Sequence, residues 1–487
     1  MPTEPRGNRS SGRRRPAPAR RGDGRGGKGP NPRTATPPAP IDPARTAARD
    51  VLRAVRRDDA YANLLLPRLL RERKITERDA AFATELTYGA SRTLGLLDAI
   101  ISAAADRPID AIDGDVLDLL RLGAYQLLRT RVATHAAVAT TVDMAREEFG
   151  SGRAGFVNAV LRRVSEADED SWIARLQPDA AADPIGNLAF RHAHPEWIAQ
   201  AFADALGERA GELPDLLAAD NARPELHLVA RPGAITAEEL ALSTGGEVGP
   251  YSPYAVHLDG AGDPGRIDAV RDRMASVQDE GSQLVVLALE RAQLVGPDGG
   301  RWLDLCAGPG GKAALLGSLA DIEGARVDAV EPSTHRAELV RTAVDGLPVE
   351  VHVVDGRSSG LEPGYDRVLV DAPCTGLGAL RRRPEARWRR TEEDLRDLTR
   401  LQRELLAAAV DLVRPGGVIA YSTCSPHLSE TMRITADATR RFGLEPLDTA
   451  GALAEVPDAA AFGGAAQLWP HRHGTDGMFV ALLRKPV

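Results

Sequence analysis

The 487-residue sequence predicts a multidomain chain: an all-α bundle, then a small α/β linker domain, then a larger α/β domain with a doubly wound, mostly parallel sheet. Three observations predict it. From about residue 43 to 164 the chain is Ala-rich and poor in β-branched residues, with apolar side chains at i, i+3, i+4 spacing, as in Ala81–Tyr88 and Val116–Tyr125. From about residue 281 short apolar runs alternate with helical stretches, the pattern of parallel strands joined by helices. Two of those runs end at a cysteine. Arg367–Val370 leads into Asp371-Ala372-Pro373-Cys374-Thr375-Gly376, and Val418–Tyr421 leads into Ser422-Thr423-Cys424-Ser425. Ligands of open α/β sheets bind at the carboxyl ends of the strands, so both thiols are aimed at one functional edge.

In chain order, residues 1–42 are read as a disordered basic tail. Their first forty residues hold nine Pro and seven Gly with almost no large apolar side chain, too little burial to offset ordering entropy. Those forty carry ten Lys/Arg against two Asp/Glu, a net of +8 that leaves the rest of the chain at −16 within the total of −8. A basic tail on an acidic body points to nucleic acid. Residues 43–165 are the helical bundle. In residues 166–280, Leu226–Ala230 alternates like a strand, Arg231-Pro232-Gly233 ends it, and Ile235–Leu240 reads as a helix. In residues 281–487 the strands are Trp302–Leu305, Arg326–Val330, Val349–Val354, Arg367–Val370 and Val418–Tyr421, and the closing run Met478–Leu483 is expected to be antiparallel.

Composition excludes several classes. Three cysteines, Cys306, Cys374 and Cys424, do not make a disulfide scaffold, and the first residues hold no signal-peptide core. No apolar run approaches the ~18 residues of a membrane span. A cytoplasmic protein with no membrane partner is expected. The close histidine pairs, His192 with His194 and His471 with His473, lack Cys partners at zinc spacing, so no metal is expected.

The first strand runs into Asp304-Leu305-Cys306-Ala307-Gly308-Pro309-Gly310-Gly311-Lys312, and a helix follows. Glycines here let a ligand approach the backbone at a helix N-terminus. The spacing is neither Gly-x-Gly-x-x-Gly nor a phosphate loop, since Ala313 follows Lys312. Glu331 ends the second strand, where an acid holds ribose hydroxyls, and Asp355 is placed at the end of the third, facing an adenine amino group. Together these point to S-adenosylmethionine, bound by Cys306, Ala307, Gly308, Pro309, Gly310, Gly311, Lys312, Glu331, Asp355 and Asp371. Cys306 contributes packing rather than chemistry.

With these motifs the chain resembles the RsmB (Sun/Fmu) family of small-subunit (16S) rRNA cytosine-C5 methyltransferases. The resemblance rests on Gly308–Lys312, Asp371–Cys374 and Ser422–Ser425 in order and spacing, on Gln278–Gln283 upstream, and on Asp476-Gly477-Met478-Phe479 near the end. Tyr88-Gly89, His135–Val138 and Phe156–Arg162 resemble the NusB-like domain that precedes the enzyme in this family. It covers about residues 43–487. Gly308 stands where Ala is common, which the turn tolerates, and Thr431 stands where Asn is frequent.

The resemblance implies a Rossmann-like S-adenosylmethionine-dependent methyltransferase domain acting on carbon 5 of a cytosine in small-subunit rRNA. It implies that Cys424 is the nucleophile, that Cys374 assists release, and that Asp371 binds the cytosine N3/N4 edge. Lys312 is read as orienting Asp371 or favouring the thiolate. Carbon 5 of cytosine is a poor nucleophile until a thiolate adds to carbon 6, which is why a Cys is needed. Ser425-Pro426 fits an N-cap followed by Pro, so a helix N-terminus is expected to favour the Cys424 thiolate. Arg381, Arg382, Arg383, Arg387, Arg389 and Arg390 crowd ten residues with Trp388 and are read as the RNA-binding cluster. A monomer is expected. The competing readings are a tRNA cytosine-C5 methyltransferase, a non-catalytic NusB-like RNA-binding factor and a small-molecule methyltransferase. The last two are disfavoured by two intact Cys motifs and the Arg cluster.

Overall fold

The structure, a computed structural model, describes residues 42–260 and 263–487. The basic tail expected to be disordered lies outside them except for Asp42. The Asp42 carboxylate accepts hydrogen bonds from the backbone N–H groups of Ala44 (2.9 Å) and Arg45 (3.1 Å), capping the first helix, Pro43–Asp58. Helices Ala62–Glu72, Glu77–Arg92, Leu94–Ala105, Gly114–Arg129 and Thr134–Val164 follow, as the periodicity predicts. The last bends at Gly150, whose φ of 81° suits glycine. Their apolar stripes meet in one core, where Leu86, Leu97, Ile100, Leu119, Leu120, Val157 and Leu161 are fully buried.

The segment read as a small α/β linker divides in two. Glu169–Leu176, Pro184–Arg191, Glu196–Leu206 and Leu213–Asn221 are helices, and strands come only after them. Strands β1 (Leu226–Ala230), β2 (Glu247–Val248), β3 (Ala255–Leu258) and β4 (Ala275–Val277) form an antiparallel sheet in the order β2-β3-β1-β4. Helix Ala237–Thr244 covers it through Leu240, which packs with Leu228 and Val256. The preceding helices pack elsewhere. Ile198, Phe202, Leu213 and Leu217 share a core with Leu377, Leu380 and Trp469, more than a hundred residues further on. The local strand signal at Leu226 carries no information about that long-range packing.

The larger sheet holds β5 (Arg301–Asp304), β6 (Arg326–Val330), β7 (Val349–His352), β8 (Tyr365–Asp371), β9 (Val413–Thr423), β10 (Glu445–Pro446), β11 (Ala466–Gln467) and β12 (Phe479–Arg484). Its order is β10-β12-β9-β8-β5-β6-β7, with β11 paired to β12. Strands β5 to β9 are parallel, and β12 is antiparallel to β9, as expected for the closing run. The apolar runs are continuous because both faces are covered. Trp302, Leu369 and Ala420 point to a layer with Leu284, Leu287, Leu315 and Leu316, from helices Glu280–Arg291 and Gly311–Glu323. Their neighbours Leu303, Val370 and Tyr421 point the other way, to Leu405, Leu406 and Ala409 of helix Asp394–Leu412. The strand order reverses between β5 and β8. Open α/β sheets bind ligands at such a switch point, and Asp304 and Asp371 sit there at the carboxyl ends of these strands.

Gln278–Gln283 joins the two sheets. Asp279 caps helix Glu280–Arg291 by accepting from Gly281 N (2.9 Å). The fully buried Glu280 accepts from the backbone of Tyr251 (2.8 Å) and Ser252 (2.7 Å), and Gln283 donates to Leu228 O (3.2 Å) in β1. Among the described residues no helix is long and apolar enough to cross a membrane.

Candidate active site

The turns after β8 and β9 bring the two cysteines together, with Cys374 Sγ and Cys424 Sγ 3.4 Å apart. Parallel pairing sets this meeting, since Asp371 lies opposite Ser422 in register and each cysteine follows a few residues on. Gly378 N donates to Cys424 O (2.9 Å), tying the turns at the backbone, and Gly477 N donates to Gly378 O (2.7 Å). A Cβ on Gly378 would overlap the Gly477 carbonyl, so the Asp476–Phe479 motif serves as a close-packed support for the first cysteine turn.

The two thiols are not equivalent. The hydrogen bond from Cys374 holds Cys424 below the ordinary thiol value, against burial and the Asp371 carboxylate, with help from the positive charges of Lys312 and Arg383. The same hydrogen bond, then burial, then the charges of Cys424, Glu430 and Asp371, push Cys374 well up. The two thiols are therefore biased in opposite directions, Cys424 toward the thiolate and Cys374 toward the protonated form. The helix N-terminus expected beside Cys424 is not there: Ser425–His427 is irregular and the next helix, Met432–Phe442, begins eight residues after the cysteine. Side-chain partners do the work assigned to a helix dipole.

Lys312, in the first turn of helix Gly311–Glu323, donates to Asp371 Oδ2 (2.8 Å) and to Ser282 Oγ (3.3 Å). Burial opposes its charge, but attraction to Asp371 and the hydrogen bond outweigh it, and the ammonium is held above the usual lysine value. Asp371 Oδ1 accepts from Ser422 Oγ (3.0 Å). Asp371 therefore presents an oriented carboxylate beside the thiols.

The glycine turn is tacked to the sheet by Leu305 N to Leu369 O (2.9 Å) and Ala307 N to Val330 O (2.9 Å). Gly310 has φ 114°, and a Cβ there would stand 2.8 Å from Ala343 Cβ and 3.0 Å from Val340 Cα, so only glycine fits. Gly308 leaves space that the Glu331 carboxylate fills in place of a Cβ. Glu331 is 3% exposed, accepts from Ser333 N (2.9 Å) and pairs with Arg336 (3.4 Å). Cys306 is pushed well up, first by burial and then by Asp304, Asp371 and Glu331, which keeps it an inert thiol. Asp355 departs from its expected place. Strand β7 stops at His352, and the half-exposed Asp355 carboxylate is committed to Arg357 (2.7 Å).

Sequence reasoning missed several residues of this site. Asp304, at the end of β5, is buried with Oδ2 unpartnered among the described residues, and burial together with the Asp371 charge pushes it up to about 7. Its signal was an acid at a strand end, the one used for Glu331. Gln278 is 7% exposed with both amide atoms unpartnered among the described residues, and lies 3.8 Å from the Cβ position of Gly311. Glu430 gave no periodic signal, because its partner Thr375 is 55 residues earlier in the chain.

The Arg cluster is corrected by the structure. Arg381 and Arg382 pair with Asp476 (3.2 and 3.0 Å) and Asp279 (3.4 and 2.7 Å). Arg387 is fully buried and donates to Arg92 O (3.1 Å), Ala193 O (3.0 Å) and Asn221 Oδ1 (2.8 Å). Arg389 donates to Val55 O (3.1 Å) and Asp59 O (3.0 Å), and Trp388 Nε1 to Ser91 O (3.1 Å). Val55, Asp59, Ser91, Arg92 and Asn221 lie at helix C-termini, where carbonyls lack partners and the dipole favours cations. Arg387 and Arg389 thus cap and join helices, while Arg381 and Arg382 are held by the carboxylates of Asp476 and Asp279, so these four arginines are committed within the protein rather than free. Arg383 is exposed beside Tyr61, with its guanidinium 5.9 Å from the ring centre, and Arg390 is half-buried.

Residues 292–484 match the model of the 16S rRNA methyltransferase RsmB/F family, and residues 42–166 match the NusB family. The chain is 31% identical over 449 residues to ribosomal RNA small subunit methyltransferase B of Enterobacter sp. strain 638, covering 90% of this chain and 98% of that one. The chain belongs to the RsmB/F family. It is also 63% identical over 446 residues to a protein of Mycobacterium tuberculosis strain H37Rv named as a methyltransferase, covering 92% of this chain and 97% of the relative. Among solved structures, that of PH0851 matches with a TM-score of 0.75 at 23% identity, covering 92% of this chain and 99% of that one. NSun6 from Pyrococcus horikoshii with SFG matches with a TM-score of 0.51 at 18% identity, covering 60% and 98%. At these identities the two structures speak for the fold. The protein is an RNA methyltransferase of the RsmB/F family with a NusB-like front, and methyltransferases of this family use S-adenosylmethionine.

Proposed function

We propose that this RsmB/F methyltransferase methylates carbon 5 of a cytosine in small-subunit rRNA, with Cys424 as the nucleophile. The observation that carries the reading is the pair of thiols 3.4 Å apart, shifted in opposite directions, beside the Lys312–Asp371 pair. The Cys424 thiolate adds to carbon 6, forming the S–C6 bond and pushing electrons to carbon 5. Asp371, oriented by Lys312 and Ser422, binds the N3/N4 edge of the base and steadies the charge that builds there. Once carbon 5 carries the methyl group, loss of its proton re-forms the 5,6 double bond and expels the Cys424 sulfur, and Cys374, held as a thiol, assists that release.

The residues at the glycine turn fit S-adenosylmethionine. Gly310 keeps a cradle that a Cβ would fill, and the buried acids Glu331 and Asp304 suit ribose hydroxyls and an ammonium group. Cys306 to Lys312 surround the turn, and Asp355 needs to release Arg357 before it reaches a ligand. S-adenosylmethionine bound there supplies an electrophilic methyl group, and NSun6 with SFG, an analogue, is a parallel case on the same fold. Residues 43–165 select the structured RNA, 166–280 link, and 281–487 carry the chemistry, in a cytoplasmic monomer.

Cys424→Ala is expected to abolish methyl transfer, and turnover near wild type would remove Cys424 from the reaction. Cys374→Ala is expected to accumulate protein cross-linked to RNA on denaturing gels. Bisulfite mapping of rRNA and tRNA from cells with and without the protein identifies the target: a lost small-subunit rRNA signal supports the reading, and a lost tRNA signal overturns its choice of RNA.

A further inference from the structure

We propose that Glu430 is a positioning residue that sets the separation of the two thiols. Glu430 is fully buried in the loop between β9 and helix Met432–Phe442, and its carboxylate reaches back to the other cysteine turn. It accepts from Thr375 N (2.8 Å), from the Thr375 hydroxyl (2.5 Å) and from Gln402 Nε2 (3.1 Å). Gln402 Nε2 also donates to Pro373 O (2.9 Å). The residues on both sides of Cys374 are thereby held through one carboxylate.

The other turn is held by the same network. Thr375 Oγ1 lies 3.0 Å from Ser425 Oγ, next to Cys424, and Tyr421 of β9 donates its hydroxyl to Glu430 O (2.7 Å). A buried carboxylate is stable only when its oxygens are well satisfied. Here its donors are neutral groups, and among the described residues it has no cationic partner. Its oxygens are spent on backbone and side chains that flank the thiols. The separation matters because the hydrogen bond between the sulfurs, 3.4 Å apart, is the largest influence on Cys424 and favours its thiolate. Glu430 thus acts through Cys374 rather than on the base.

The inference rests on the reading that Cys424 is the nucleophile, and the test separates the two. Diamide takes two electrons and two protons from neighbouring thiols, joining them as a disulfide and becoming the hydrazine, with neither RNA nor S-adenosylmethionine required. Cross-linking of Cys374 to Cys424 is followed by mass spectrometry in wild type, Glu430→Ala, Glu430→Gln and Thr375→Val, beside kcat and KM. In Glu430→Ala, kcat is expected to fall on the order of a hundredfold, the effect of misplacing reacting groups by ~1 Å, with KM for S-adenosylmethionine unchanged and cross-linking slowed. Glu430→Gln keeps an acceptor for Thr375 N and is expected to cross-link near the wild-type rate. A folded Glu430→Ala that cross-links and turns over as wild type overturns the proposal. Should Glu430→Ala fail to fold, Thr375→Val decides: slowed cross-linking supports the clamp, and an unchanged rate overturns it. Retained turnover in Cys424→Ala would remove the nucleophile while slowed cross-linking in Glu430→Ala still upholds the clamp.

Discussion

Cys424 and Cys374 are shifted in opposite directions because each sees the other, and that dependence is measurable. Removing the Cys374 hydrogen bond removes the largest influence that lowers Cys424, while burial and Asp371 still raise it. The thiolate is the reactive form, so alkylation of Cys424 by iodoacetamide rises with pH through its titration. In wild type that rise is expected below the ordinary thiol value of about 8.5, and in Cys374→Ala it is expected to move upward. A midpoint unchanged between the two, followed by peptide mass spectrometry, would show that the sulfur contact does not tune the nucleophile. That the two thiols lie at one sheet edge was legible in the sequence from two motifs at strand ends. How Cys424 is activated was not. The expected helix N-terminus depended on Ser425-Pro426 starting a helix, and Ser425 is instead engaged with Thr375.

At the scale of elements, strands and their ends follow from local pattern, while the turns between them carry steric demands. Gly310→Ala tests one such demand. The substitution places a Cβ against Ala343 and Val340 at a φ of 114°, so it is expected to destabilise the chain by about 1–3 kcal/mol and to weaken S-adenosylmethionine binding. Denaturant unfolding and titration calorimetry check the two parts. Most strands of the larger sheet stand where the apolar runs predicted them, because strands buried on both faces write continuous Val, Leu and Ile runs. The helices from Glu169 to Asn221 were less legible, since the core they share with Leu377, Leu380 and Trp469 belongs to another stretch of chain.

Across the whole molecule the Arg run shows how one segment serves distant partners. Arg387→Ala leaves neutral oxygens at three sites without their donor, and is expected to lower stability by about 1–3 kcal/mol. Arg383→Ala, at an exposed side chain, is expected to leave unfolding unchanged and to weaken RNA binding with a salt slope reduced by about 1. Thermal unfolding beside RNA titration at several salt concentrations distinguishes them. The reverse pattern, a stable Arg387→Ala with weakened RNA binding, would restore the reading of Arg387 as a phosphate contact.

The sequence by itself determined that a helical bundle precedes a parallel-sheet domain, the glycine turn and the presence of two thiols at one sheet edge. Each of these is written in neighbouring residues, as period, as strand-end motif or as a turn that only glycine allows. Only the tertiary structure decided which thiol is biased toward the thiolate, what Glu430 holds, and that four arginines are committed to carboxylates and helix ends instead of waiting for phosphate. Those properties depend on atoms 50 residues apart at the thiols and more than 300 apart at Arg389 and Val55. A charge or a thiol has no fixed role until the fold sets the distance to its partners and removes the water between them.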